Sequence, residues 1–184
     1  MINYTTSETD QEFAEIIDLQ KENLPQNLTK SEMRQQGFVT VSHSMDDLRK
    51  MNKYEHNLVI KDDNKIEGYI LAMTKKSKLD IPILIPMFNN LDKIQYKEKL
   101  VSAFNYIVVG QVCIHKDYRG QGLFDKGYDA YKNHFKDKYD FVITSIAKTN
   151  MRSMNAHKRI GFVELHSFFD LQNVEWSIVA WDWQ

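Results

Sequence analysis

Two short runs in this sequence carry residue types that could do chemistry. The first is Arg119-Gly120-Gln121-Gly122. Its two glycines let the backbone bend tightly and leave N–H groups uncovered by side chains. Together with the first turn of a following helix, those groups form an anion site, and Arg119 adds a fixed positive charge suited to phosphate. A pyrophosphate is the expected guest; the bland alternative is a turn that merely connects a strand to a helix. The second run is Asn150, Ser153 and His157. Their spacing puts all three on one face of a helix, and an imidazole titrates near neutrality, so it can pass protons.

Competing chemistries fit less well. A dinucleotide fingerprint would need glycine at 125, where Asp125 stands, and a P-loop would need Gly-Lys-Ser or Gly-Lys-Thr, which is absent. The histidines show no metal-ligand spacing, and the single cysteine, Cys113, removes both a disulfide framework and a cysteine-rich zinc site. No metal site is expected. Cys113 lies mid-strand without a paired base, so a buried thiol is the expectation rather than a nucleophile.

Several elements must position these residues. A short strand over 2–6 precedes a helix capped at Thr9 or Asp10 and running to about 23. A second helix opens at Thr29 and stops at Gly37, Phe38 to Val41 is extended, and a third helix runs from Ser44 to near Tyr54. Asn57–Lys61 and Ile66–Met73 read as a hairpin around Asp62-Asp63-Asn64. Residues 76–104 are less regular and read as an insertion or lid between strands. Tyr106–Ile114 is a strong strand that runs into the glycine turn. A helix follows from Leu123, with Leu123, Phe124, Gly127, Tyr128, Tyr131 and Phe135 on its apolar face. Then come a strand over 141–146, a helix from Asn150 to Gly161, and two closing strands, 162–169 and 174–183.

Composition sets the frame. With 184 residues, 42% hydrophobic and 27% charged, the chain fits one domain spanning 1–184. A net charge of -1 gives no global field to recruit nucleic acid or an anionic membrane. No signal peptide is visible, and the apolar runs fall short of the ~20 residues of a spanning helix. A reducing cytoplasm is the simplest compartment.

The two runs, taken together, resemble the GNAT superfamily of acetyl-CoA-dependent N-acetyltransferases. That family's turn reads Arg/Gln-x-x-Gly-x-Gly/Ala after its fourth strand; Arg119 to Phe124 matches, with Phe124 where a small residue is usual. Read two residues earlier, both glycines match and Asp117 replaces Arg/Gln. The family often carries Asn-x-x-Ala/Ser-x-x-x-Tyr-x-x-x-Gly-Phe; here stand Asn150, Ser153, His157 and Gly161-Phe162, with His157 at the tyrosine position. The resemblance covers about 105–165.

It implies an α/β (α+β) single-domain fold, with a mixed central sheet of about seven strands flanked by helices and with its fourth and fifth strands splayed. The cosubstrate would be acetyl-CoA and the acceptor a small-molecule or peptide amine. The pantetheine arm would lie between strands 106–114 and 141–146 and pair with backbone groups of Val112, Cys113 and Ile114. The phosphates would rest on Arg119, Gly120, Gln121, Gly122, Leu123 and Phe124, displaced slightly outward by the Phe124 ring. Asn150 and Ser153 would hydrogen-bond the arm. A backbone N–H at Val112 or Cys113 could polarise the thioester carbonyl.

Amide formation requires a neutral amine, although a lysine-like amine has a pKa of about 10.4. The departing thiolate benefits from a proton, for which His157 is the best candidate. No carboxylate lies between Val101 and Lys116, so the base is open among Tyr106, Gln111 through water, His115, Glu175, Asp182 and solvent. Trp176, Trp181 and Trp183 could line an acceptor pocket or pack the core. The apolar run Ile81 to Phe88 could shape that pocket or form a homodimer contact. Two readings stay open: an N-acetyltransferase working by direct attack in a ternary complex, and a non-catalytic acyl-CoA-binding regulatory module.

Overall fold

Side-chain caps start three of the early helices. In the computed structural model, which describes residues 1–184 apart from the side chain of Ile83, α1 (Asp10–Glu22), α2 (Lys30–Gln36) and α3 (Met45–Asn52) each open on a reciprocal capping box. The pairs are Thr9 with Glu12, Thr29 with Glu32 and Ser44 with Asp47. Each box satisfies backbone N–H groups that a helix start leaves orphaned.

Strand β1 (Ile2–Thr6) pairs antiparallel with β2 (Leu58–Asp62), which turns through Asp63 at φ 50 into β3 (Lys65–Met73). An aspartate tolerates that left-handed position better than most residues. The chain then forms two short helices, α4 (Ser77–Asp80) and α5 (Ile85–Leu91), and a small hairpin of β4 (Gln95–Tyr96) and β5 (Lys99–Leu100). The remaining elements are β6 (Tyr106–Ile114), α6 (Leu123–Phe135), β7 (Phe141–Ala147), α7 (Met151–Arg159), β8 (Val163–Phe169) and β9 (Glu175–Asp182).

The main sheet has seven strands in the order β1-β2-β3-β6-β7-β9-β8, the mixed sheet expected from the sequence. One face packs against α1, α3 and the 76–104 segment through Phe13, Ile16, Leu48, Met51, Val108 and Ile143. The other carries α6 and α7 over Ile60, Ile70, Ile107 and Val142, with the aromatic residues Tyr128, Tyr131, Phe135 and Phe162 filling the space between.

The apolar run Ile81 to Phe88 divides between core and surface. Ile81, Leu84 and Phe88, with Leu91 and Val101 beyond them, are buried in the first core, while Ile85 is 41% exposed. Polar ties fasten the segment to β6 and to the end of β3. The Tyr106 hydroxyl donates to Asp92 at 2.9 Å, and Lys75 donates to the carbonyls of Ser102 and Phe104.

Two irregularities in β6 prepare the site. Opposite Leu71 of β3 the register shifts, so Gly110 and Gln111 together face one residue, a β-bulge. Moreover, β6 and β7 pair in parallel only over Tyr106↔Phe141, Ile107↔Val142 and Val108↔Ile143. Beyond that point the two strands part, while β7 stays paired to β9 along its whole length.

Candidate active site

At the end of β6 the chain passes through one 3-10 turn, Lys116–Tyr118, into Arg119 and the two glycines. Gly120 and Gly122 have φ of +74° and +79°, and a Cβ at either would meet nothing within 4 Å. Backbone conformation, not space, therefore demands glycine here. Gly122 is the N-cap of α6 and offers no side-chain cap. The first-turn N–H groups of α6 are thus free of side-chain partners, at the positive end of a 13-residue helix.

The turn opens on a pocket of about 360 Å³ lined by Gly120, Gly122, Leu123, Phe124, Ser153 and two arginines, Arg152 and Arg159. Arg119 lines it as well, but its guanidinium is braced. Its Nε donates to the Ile114 carbonyl at 2.9 Å and an Nη to Asn23 Oδ1 at the end of α1. Its charge sits in the wall while its hydrogen bonds hold the turn in place. Gln121 folds back, donating to the Asp117 carbonyl at 2.8 Å; its side chain is not among the lining groups. Arg159 pairs with Asp125, and Arg152 is exposed. Sequence reasoning missed both arginines, although they stand two helical turns apart on α7, a spacing that puts them on one side. The Phe124 ring lies 5.0 Å from Tyr128 and 5.2 Å from His157, centroid to centroid. It therefore packs against the aromatic cluster, which removes the reason for an outward shift of the phosphates.

Adjoining the pocket, and sharing Phe38, Val39, Val112, Asn150 and Ser153 with it, a smaller cleft of about 60 Å³ lies in the gap between β6 and β7. A strap over residues 37–41 crosses between the two. Its anchors are Val39 N–H on the Asn23 carbonyl (3.0 Å), the Phe38 carbonyl accepting from Asn150 Nδ2 (2.8 Å) and the Val41 carbonyl accepting from Gln111 Nε2 (2.8 Å). Gly37 starts the strap at φ +80, where a Cβ would lie 3.0 Å from Asn150 Oδ1. Asn150 also accepts from the Ser153 N–H and caps α7. It lines the cleft with its amide already committed to the strap.

Along β6, backbone groups alternate in direction. His115 donates its N–H to the Glu67 carbonyl of β3, so Cys113, two residues back, also points its main chain at β3. Val112 and Ile114 point away, toward the gap. Val112, Cys113 and Ile114 all line the pocket, but the Cys113 N–H, turned to β3, is unsuited to polarising a carbonyl in the gap. The Ile114 carbonyl already accepts from Arg119; of the two N–H groups that face the gap, that of Val112 belongs to a residue lining the inner cleft. The Cys113 thiol is buried, and burial pushes it up to about 12, which fits an inert strand thiol.

His157 does reach the cleft wall, but not as a ready acid. It is buried, and burial lowers its imidazole to about 4. Nδ1 lies 2.8 Å from the Ser153 carbonyl, which can only accept, so Nδ1 carries the proton; Nε2 then accepts from the Tyr128 hydroxyl at 2.7 Å. Both nitrogens are spent and the ring is neutral. The expectation of a proton-donating His157 is corrected on these grounds: it walls the cleft and locks α7 to α6.

The general-base candidates fare no better. The Tyr106 hydroxyl is held by Asp92, and burial raises it well above the ordinary phenol value. His115 sits 3.5 Å from Glu67 on the far side of the strand end, Glu175 pairs with Lys148 at 2.8 Å, and Asp182 is held by Tyr96 and Lys97. None of these four lines the cleft. Gln111 does line it, but its amide is taken by Val41 and by the Tyr69 hydroxyl. Of the tryptophans, Trp176 lines the cleft, whereas Trp181 and Trp183 belong to the aromatic core over α6.

The comparisons with known proteins bear on the family and the fold. The model of the Acetyltransferase (GNAT) family matches residues 14–162. No curated protein matches the sequence. Among solved structures, a GNAT-family acetyltransferase from Streptococcus agalactiae superposes with a TM-score of 0.68 at 11% identity, covering 100% of this chain and 96% of the other. The NatC complex bound to Gag peptide and CoA gives 0.66 at 14% identity, covering 100% and 99%. The protein yncA from Salmonella typhimurium, solved with its cofactor acetyl-CoA, gives 0.62 at 11% identity, covering 100% and 94%. At these identities the likeness is one of fold.

Proposed function

Because the chain belongs to the GNAT family of acetyltransferases, we propose that it transfers an acetyl group from acetyl-CoA to a primary amine by direct attack within a ternary complex. One observation carries this reading. The uncapped start of α6 opens on a pocket, the parted strands β6 and β7 frame a second cleft, and Phe38, Val39, Val112, Asn150 and Ser153 line both, so a place for a phosphate end adjoins a place for a thioester end.

In this reading the first-turn N–H groups of α6 receive the pyrophosphate, and Arg152 and Arg159 supply positive charge beside it. The pantetheine arm passes under the strap and pairs with the backbone groups of Val112. The Val112 N–H faces the thioester oxygen as negative charge develops on it. The amine nitrogen attacks the carbonyl carbon, the carbon–sulfur bond breaks, and the proton lost by nitrogen goes to the thiolate by way of solvent. Positioning, rather than acid–base side chains, supplies most of the acceleration.

A second reading, an acyl-CoA-binding module without catalysis, draws support from the neutral, committed His157 and the absence of a cleft carboxylate among the described residues. One experiment separates the two: incubation with acetyl-CoA, a panel of amines and a thiol reagent. Amine-dependent thiol release is expected. Coenzyme binding by calorimetry with no thiol release from any amine sinks the transfer reading and leaves the binding module.

A further inference from the structure

The wall of the inner cleft has an unusual composition. It is built from Phe38, Val39 and Thr40 of the strap, Val109 to Val112 of β6, Thr144 to Ala147 of β7, Trp176 of β9, and Asn150, Ser153 and His157 of α7. Among the described residues it holds no Asp, Glu, Lys or Arg. Its one titratable group, His157, has both ring nitrogens committed. The charged groups nearest behind the wall are also occupied. Asp170 accepts from Trp176 Nε1 at 2.8 Å and from the N–H groups of Gln172 and Val174. Glu164 accepts from Ser177, and Glu175 pairs with Lys148.

Among the cleft's own polar side chains most are spent. Gln111 is bonded at both ends, the Thr144 hydroxyl donates to the Val109 carbonyl at 2.8 Å, and Asn150 holds the strap. The Ser145 hydroxyl is buried with no partner. It shares the sheet face of Ile143, since side chains alternate along β7, and so looks toward the strap and Trp176 rather than toward α6. A buried hydroxyl without a partner costs free energy that a ligand hydrogen bond would recover.

We infer that the acceptor is a weakly basic amine of the α-amino kind, bound uncharged between the strap and Trp176, with the Ser145 hydroxyl as a positioning residue that accepts its N–H. The inference rests on the transfer reading and adds the acceptor class. Its physics is direct: a cleft with no ionised side chain neither attracts an ammonium nor takes its proton, so only the neutral fraction in solution is used. An α-amine with a pKa of about 7.7–8.0 and a lysine ε-amine of about 10.4 differ in that fraction by roughly 200- to 400-fold near pH 7.

The test measures kcat/KM from pH 6 to 10 for two matched pairs. One pair is a neutral peptide with its α-amine free and its lysine acetylated, against the same peptide with the two reversed. The other is phenylalaninamide against phenethylamine, alike in body and different in basicity. The α-amine member is expected to be favoured at pH 7 by about 100-fold or more, with the ratio shrinking as pH rises. The rising limb should break at each amine's own pKa. Equal use of both members at pH 7, or a break fixed at one pH for every amine, overturns the inference while leaving acetyl transfer intact. No thiol release with any amine, despite coenzyme binding, overturns the transfer reading itself.

Ser145→Ala should raise the KM for amine about 5-fold or more and leave the KM for acetyl-CoA and the pH break unchanged. Ser145→Asp should narrow the α-to-ε preference at least 10-fold. Unchanged amine KM in a folded Ser145→Ala protein removes Ser145 from the proposal, and the wild-type pH profiles decide the acceptor class on their own.

Discussion

His157 shows how a residue can match a motif and do a different task. It stands at the spacing expected of a site residue, yet burial and two hydrogen bonds keep it neutral. Its value falls from 6.5 to about 4 on folding. Between those values the unfolded chain binds the proton and the native protein does not, so stability falls as pH drops from about 6.5 toward 4 and is fully present above that window. The contribution is on the order of 3 kcal/mol. Urea midpoints of the wild type should therefore fall steeply across this range, and His157→Gln should flatten the fall. Some slope should remain, because His43 is shifted in the same direction by burial. A second expectation concerns Gly120, whose φ is +74°. Gly120→Ala places an L-residue in the left-handed region at a cost of about 1–2 kcal/mol. Titration calorimetry with coenzyme A should show affinity reduced roughly 5- to 30-fold, with little change in fold.

At the level of elements, the strap over 37–41 borders both the pocket and the inner cleft. Asn150→Ala removes both the cap of α7 and the bond to the Phe38 carbonyl, which together should cost about 2 kcal/mol. Thermal unfolding should register that loss, and coenzyme affinity should fall with it. The 76–104 segment behaves as core. Phe88→Ala should cost about 3–5 kcal/mol in denaturant unfolding, whereas removal of a surface flap would be nearly silent.

The strap and this segment also mark where sequence reading stopped. Thr9, Thr29 and Ser44 announced their helices because capping chemistry is local. The alternation in 57–73 and the glycines at 120 and 122 were legible for the same reason. The helices at 77–80 and 85–91 lack side-chain caps, so nothing local declared them. The partners of His157, Asn150 and Arg119 lie 29, 112 and 96 residues away, at Tyr128, Phe38 and Asn23. Such distances are set by tertiary packing and leave no trace in spacing.

For the whole molecule, coenzyme binding should act as a clamp on the fold. At a free ligand concentration 100 times Kd, binding contributes about 2.7 kcal/mol. For a domain of this size that corresponds to a rise in Tm of roughly 5–10 °C, readable by thermal shift with acetyl-CoA and absent with free acetate.

The layout of the pocket has one more consequence, for how the protein is made. Its walls come from two stretches far apart in the sequence, Asn23 to Val39 and Val112 to Arg159. A growing chain on the ribosome carries the first half of the binding site long before the second half exists. The coenzyme can therefore stabilise only a polypeptide that already extends past Arg159, and it gives no help to the segment before β6, whose exposed strand edges must wait for β6 and β7.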